Sequence, residues 1–281
     1  MYPICRWSNC CLSLPNMRIQ NFTRNSIMPG LGLAVLFWAF SAPPSYADFS
    51  AWQELLGRFV EKGLVNYSAI REDPSVLNAA VVGLEGLSRN EYEVLSPDGK
   101  KAFWINAYNI GAIKVVMDHY PLRRAVGLSA LRYPSLSIQQ IPGVWDRPVL
   151  KLLGQAVSLN VIENEMLRKE FRDPRVHFAI VCASLGCPVL RGEAYVPVQL
   201  EAQLDDQVRG FVRDPRKVRF DAKTGTLYVS PIFKWFKEDF ASAGGMIVFL
   251  RRYLPAHPAI SDDIKIQWLD YDWSLNAQSH D

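Results

Sequence analysis

The sequence predicts a single α+β domain in which a central buried helix packs with hairpins and a short mixed or antiparallel sheet. Three observations predict it. Ser96 to Pro121 reads as one long helix whose apolar residues are dense on every side. Arg147–Leu159 and Lys217–Ser230 read as hairpins, turning near Gly154 and at Lys223-Thr224-Gly225. Helical and hairpin segments follow one another without the regular βαβ succession of a parallel-sheet fold.

The first 47 residues read as an export signal rather than as fold. Arg18 and Arg24 supply a positive flank, Leu31 to Phe40 an apolar run, and Ser45-Tyr46-Ala47 a small-residue cleavage site. Met17 and Met28 are alternative starts. The apolar run is too short to span a bilayer, which takes about 20 residues. The expectation is therefore an exported, periplasmic or secreted protein, with residues 48–281 as its domain and no membrane span after cleavage.

Charge points the same way. The chain has 31 Lys and Arg against 28 Asp and Glu, and Arg6, Arg18 and Arg24 in the signal account for the excess. A domain without net charge gives no reason to expect a nucleic-acid partner. Cys5, Cys10 and Cys11 also leave with the signal, so Cys182 and Cys187 are the two that matter.

Within the domain, Asp48 caps a first helix that places Phe49, Trp52, Leu55, Leu56, Phe59 and Val60 on one face. Asp73 to Ser88 is a second helical segment, with Pro74 in its first turn. Ser96 caps the long helix, Pro97 takes its first position and Pro121 stops it. Asn106 and Asn109, polar groups inside so apolar a helix, must find partners there. Residues 122–145 carry no clear pattern. After the first hairpin, Asn160 opens a helix to about Phe171, and Glu163 stands at the spacing of a capping box. Val176 to Cys182 reads as a buried strand. Pro197 to Phe211 is an amphipathic helix, with Leu200, Leu204, Val208 and Phe211 on one side. Ser230 begins a helical pair ending at Tyr253, and Ile264 to Asn276 closes the chain as a strand.

The candidate chemistry lies in "HFAIVCASLGCP". In a regular strand His177, Ala179 and Val181 face one way, and Val176, Phe178, Ile180 and Cys182 the other. His177 and Cys182 then cannot meet, whereas Cys187, beyond Gly186, can fold back. Cys182 reads as a small buried hydrophobe. A thiol beside an imidazole or a helix N-terminus becomes a nucleophile, and Cys187-Pro188 precedes a segment able to turn helical. The imidazole needs an orienting group on its other nitrogen. Asn109, Asn106, Glu163, Asp272 and Asn276 are the candidates, which makes Cys187, His177, Asn109 and Glu163 the candidate catalytic set. Structural roles compete at every position. The cysteines can bridge each other, His177 can be a core histidine, Glu163 can cap, and the asparagines can be buried staples. No zinc spacing, C-x-x-C pair, glycine-rich nucleotide loop or G-x-S-x-G elbow occurs, so neither metal nor cofactor is expected.

Four stretches occur in a fixed order: "FWINAYN" from Phe103, "HFAIVCASLGCPVLR" from His177, "SPIFKWFKEDF" from Ser230 and "YDWSLN" from Tyr271. Together they resemble the DUF547 family, a domain of unknown function found in exported bacterial proteins and as a module in plant and animal proteins. The resemblance runs from about Trp52 to Asn276. It matches His177, Cys187, Pro188, Asn106 and Asn109 to the family's pattern, and departs from it at Asn164, where many relatives carry histidine. Two functions are open. One is a papain-like or transglutaminase-like enzyme acting on amide or ester bonds of the cell envelope. The other is a non-catalytic module binding an envelope peptide, glycan or protein, with Cys182 and Cys187 as a structural pair.

Overall fold

The long helix Pro97–Met117 is the axis of the molecule, and its sequence explains why. Ser96 accepts a hydrogen bond from the Gly99 amide, Pro97 follows at the first turn, and side chains all around the cylinder are buried. In the computed structural model, which describes residues 48–124, 126–254 and 260–278, the other elements wrap this helix. The export segment expected over residues 1–47 lies outside the described residues, as do His257 and His280.

Helix Ser50–Phe59 lays Trp52, Leu55, Leu56 and Phe59 into the core; Asp48 accepts from the Ser50 amide, but Phe49 and not Asp48 stands at the N-cap, without a side-chain cap bond. Helix Ser75–Glu85 packs beside it. Buried Asn106 on the long helix is bonded at both ends of its amide: its oxygen accepts from the Trp52 indole (3.2 Å) and the Tyr195 amide (3.0 Å), and its nitrogen donates to the Tyr195 carbonyl (2.8 Å).

The hairpin Leu150–Leu152/Gln155–Val157 turns at Leu153-Gly154, both at positive φ, the geometry two-residue hairpin turns require. The predicted hairpin Val218–Asp221/Thr226–Val229 also forms. Lys265–Trp268 joins it in parallel, giving a three-stranded mixed sheet. Helix Leu200–Arg213 follows a short 3-10 turn and buries Leu200, Leu204, Val208 and Phe211. The expected helical pair after Ser230 is three short helices, Ile232–Trp235, Lys237–Ala241 and Met246–Tyr253. The unpatterned stretch 122–145 holds two short helical turns, Leu128–Arg132 and Ile138–Gln140. Among the described residues no helix is long and apolar enough to cross a membrane.

Two expectations are overturned. Val176–Cys182 is not a strand: Pro174–Phe178 is a 3-10 helix, and residues 179–182 are irregular. Asp173 caps that turn by accepting from the Arg175 amide, and Pro174 fits its first position. The β-branched run therefore yields to a local capping signal. Nor do Asn160 and Glu163 form a capping box. Asn160 is itself helical and donates to Asp146, while Ser158 accepts from the Val161 amide. The helix that follows, Val161–Arg168, is a π-helix closed by one α-helical turn, Lys169–Phe171. Such wide helices are rare and often mark functional sites.

Candidate functional site

A pocket of about 250 Å³ collects most of the chemistry-bearing residues. Glu163 and Asn164 enter from the π-helix, His177 from the 3-10 turn, Cys182 and Cys187 from the loop behind it, and Trp235 and Phe236 from the short helix after Ser230. Tyr271 and Trp273 close it from the C-terminal segment. The aromatic side chains support one another: Tyr271 has ring centroids 4.6 Å from Trp273 and 4.8 Å from Trp235.

The cysteine loop is fixed from two sides. From the long helix, Asn109 donates to the Ala179 carbonyl (3.0 Å) and accepts from the Val181 amide (2.8 Å). From the C-terminal segment, the Ser274 and Asp272 carbonyls accept from the Leu185 and Gly186 amides, and Ser184 pairs with Leu275. Gly186 is required by proximity, since a β-carbon there would stand 2.6 Å from the Tyr271 ring. Ala183 takes a left-handed conformation (φ 55°), which for a residue with a β-carbon costs about 1–2 kcal/mol.

Cys182 and Cys187 are joined by a disulfide, with Cα atoms 6.2 Å apart. This corrects the expectation that Cys182 lies apart in the apolar face while Cys187 turns toward His177. Without the strand, the alternation that separated the two cysteines does not exist. No helix follows Cys187 either, because the backbone stays irregular until Pro197.

His177 is buried and stacks on Phe236 with centroids 3.9 Å apart. Its Nε2 lies 2.6 Å from Asp239 Oδ2, and its Nδ1 is buried without a hydrogen-bond partner. Asp239 is in turn gripped by Arg168, whose Nε and Nη2 donate to its two oxygens at 2.6 and 3.1 Å. Burial alone would raise the Asp239 pKa, but the hydrogen bonds from His177 and Arg168 outweigh it and hold the carboxyl well below the usual range. An ionised Asp239 places the proton of neutral imidazole on Nε2 and leaves the Nδ1 lone pair free. Burial also lowers the His177 pKa, against the pull of Asp239, which favours the neutral ring.

Asp239, and neither Asn109 nor Glu163, is the residue whose side chain bonds to the His177 ring. Asn109 belongs to the backbone of residues 179–181. Glu163 is a pocket residue whose pKa burial pushes up to about 7, against the opposing Tyr108 hydroxyl and Arg168. Asp272 serves through its backbone, and Asn276 accepts from the Tyr67 hydroxyl at 2.8 Å. Asp239 lies in "FKWFKEDF", an amphipathic segment with no spacing that points to a histidine 62 residues earlier.

Residues 92–212 match the model of the family described as "Protein of unknown function, DUF547". The match covers the long helix, the first hairpin, the π-helix and the cysteine loop, and stops short of Asp239 and Tyr271. Neither a curated protein nor a solved structure matches the chain.

Proposed function

Residues 92–212 being a DUF547 domain, we propose that the pocket is the active site of a cysteine-dependent acyl-transfer enzyme, papain-like or transglutaminase-like in its chemistry. Cys187 in its thiol form is the nucleophile, His177 the general base and Asp239 the residue that positions the imidazole. One observation carries this reading. His177 is held at Nε2 by an ionised carboxylate and keeps an unpartnered Nδ1, in a pocket that Cys187 also lines. That arrangement has the form of a base set by a third group.

No hydrogen bond joins Cys187 Sγ to His177 while the bridge is closed, so the reaction begins with its reduction; the freed thiol turns to Nδ1 and gives it its proton, and the sulfur attacks the carbonyl carbon of an amide or ester. Collapse of the tetrahedral intermediate expels the amine or alcohol, which takes the proton from the imidazolium. Asp239 stabilises that imidazolium without accepting its proton. Water or an amine then attacks the thioester and restores the thiol. The aromatic side chains provide an apolar surface for the acyl group, as ligand pockets commonly do. With the export signal read from residues 1–47, amide or ester bonds of the cell envelope are the substrate class.

The disulfide favours a second reading, a binding module in which the bridge is structural and the aromatic pocket holds an envelope peptide or glycan. Incubating the full chain with an activated aryl ester, with and without prior reduction, separates the two. Acylation of the reduced protein alone, lost in Cys187→Ala, supports the enzyme. An inert reduced protein supports the module.

A further inference from the structure

The surroundings of the two sulfurs differ in a way that a purely structural bridge does not require. Cys187 Sγ is met by three potential donors: the Cys182 amide at 2.9 Å, the Tyr271 hydroxyl at 3.1 Å and the Ser184 hydroxyl at 3.5 Å. Cys182 Sγ has the same two hydroxyls within 3.3 Å but no amide. Ser184 Oγ also lies 3.2 Å from the Tyr271 oxygen, so it can donate to the tyrosine while the tyrosine donates to sulfur. A bridged sulfur is a weak acceptor and gains little from such company. A thiolate gains a great deal, because hydrogen bonds to the charged form favour it. Accessibility is the reverse. Both sulfurs border the pocket, but Cys187 is buried, with 6% of its surface exposed, while Cys182 is only half-buried.

We infer that the Cys182–Cys187 bridge is a redox-active couple that exchanges with an external dithiol. Cys182 is the sulfur attacked, and Cys187 is the thiolate that leaves into a cradle already built for it. In the first step a dithiol thiolate attacks Cys182 Sγ, the S–S bond breaks, and its electron pair goes to Cys187. In the second step the other thiolate of the reagent attacks the sulfur of its own mixed disulfide and releases Cys182. Two electrons pass from the dithiol to the protein, and the dithiol becomes a disulfide. Of its two protons, one ends on Cys182 and one goes to solvent. Attack is faster when the leaving thiol has a low pKa, so the cradle gives the exchange its direction as well as its product. The titratable groups that line the pocket with the pair are Glu163, His177, Tyr108 and Tyr271. Burial raises the Tyr271 pKa well above the usual value, so its hydroxyl stays a donor at neutral pH.

This inference goes beyond acyl transfer and does not depend on it, since exchange needs only the two sulfurs, the donors and a dithiol. The test uses the full chain. It is equilibrated with graded dithiothreitol, free thiols are alkylated, and the alkylated residues are mapped by mass spectrometry. The bridge is expected to open reversibly without loss of the fold, as followed by circular dichroism. In Cys182→Ser, where Cys187 is free, the pH dependence of alkylation is expected to have its midpoint well below the ordinary thiol value of about 8.5. Adding Tyr271→Phe, which keeps the ring and removes the donor, is expected to move that midpoint up by about one unit. Below both midpoints the thiolate fraction then falls about tenfold. Higher intrinsic nucleophilicity returns about threefold of that, so alkylation slows about threefold. A bridge that resists dithiothreitol until the protein unfolds overturns the inference. So does a Cys187 midpoint at or above the ordinary value, or one that Tyr271→Phe leaves in place.

Discussion

His177 Nε2 and Asp239 Oδ2 stand 2.6 Å apart, and that contact fixes which ring nitrogen is free to act. The same carboxylate is clamped by Arg168 across 71 residues of sequence. The imidazole is therefore set by two elements at once, the 3-10 turn that carries it and the short helix that carries Asp239. The consequences can be measured one residue at a time.

Asp239→Asn keeps the shape of the side chain and removes its charge. The imidazolium formed during acylation then loses its counter-charge, and the preferred tautomer is no longer fixed. Acylation of reduced protein by an activated ester is expected to slow by about 10²–10⁴-fold, the range in which general-base catalysis contributes. Stopped-flow release of the aryl leaving group reads the rate, and Asp239→Glu is expected to recover part of it.

Glu163 makes stability depend on pH. Its pKa rises from 4.5 to about 7 on folding, so the folded chain prefers the protonated form. A group raised in this way contributes fully below its unfolded pKa, and that contribution is lost as pH rises through the folded value. Glu163→Gln, which does not ionise, is expected to match the parent near pH 4 and to exceed it progressively up to pH 7. Above that the gain levels off on the order of 3 kcal/mol. Urea denaturation at a series of pH values checks the profile.

Asn109→Leu tests the staple beneath the cysteine loop. It leaves the Val181 amide and the Ala179 carbonyl buried without partners, each costing about 1–3 kcal/mol. A loss of roughly 3 kcal/mol in chemical denaturation is expected. Asn109→Asp keeps the acceptor for Val181 and is expected to cost less.

Gly186→Ala brings a β-carbon against the Tyr271 ring, and one of the two must move. Overpacking of this kind costs about 1–3 kcal/mol. Because Tyr271 also donates to Cys187, the variant is expected to change thiol alkylation in the reduced protein as well as the denaturation midpoint.

Much of this architecture is legible in the sequence, and the boundary falls along physical lines. The long helix, the amphipathic helix after Pro197 and both hairpins carry local signals: Ser96-Pro97 at a start, an apolar stripe at helical spacing, glycines at turns. Those signals act over a few residues, and the fold obeys them. The strand expected over Val176–Cys182 fails because a β-branched run specifies a strand only where another strand is available to pair with it. Here the backbone at 179–181 bonds instead to Asn109. Asp173-Pro174 starts a 3-10 helix just where the strand would begin. The two cysteines are legible, and so is the choice between bridge and nucleophile, but only a regular strand would separate their side chains. Asp239 and Tyr271 lie in stretches that were noticed as motifs, without any sign of which side chain reaches the pocket. Such a role depends on tertiary contacts 62 and 84 residues apart.

The proposed reaction puts an acyl group on Cys187 with His177 as its base. The most direct measurement is intact-mass and peptide-mapping spectrometry of the reduced full chain after brief exposure to an activated aryl ester, for the parent, His177→Ala and Cys187→Ala. The expected result is a single acyl adduct on Cys187 in the parent, none in Cys187→Ala, and formation slowed at least a hundredfold in His177→Ala. No adduct on the reduced parent, or an adduct that forms as fast without His177, would rule that reaction out.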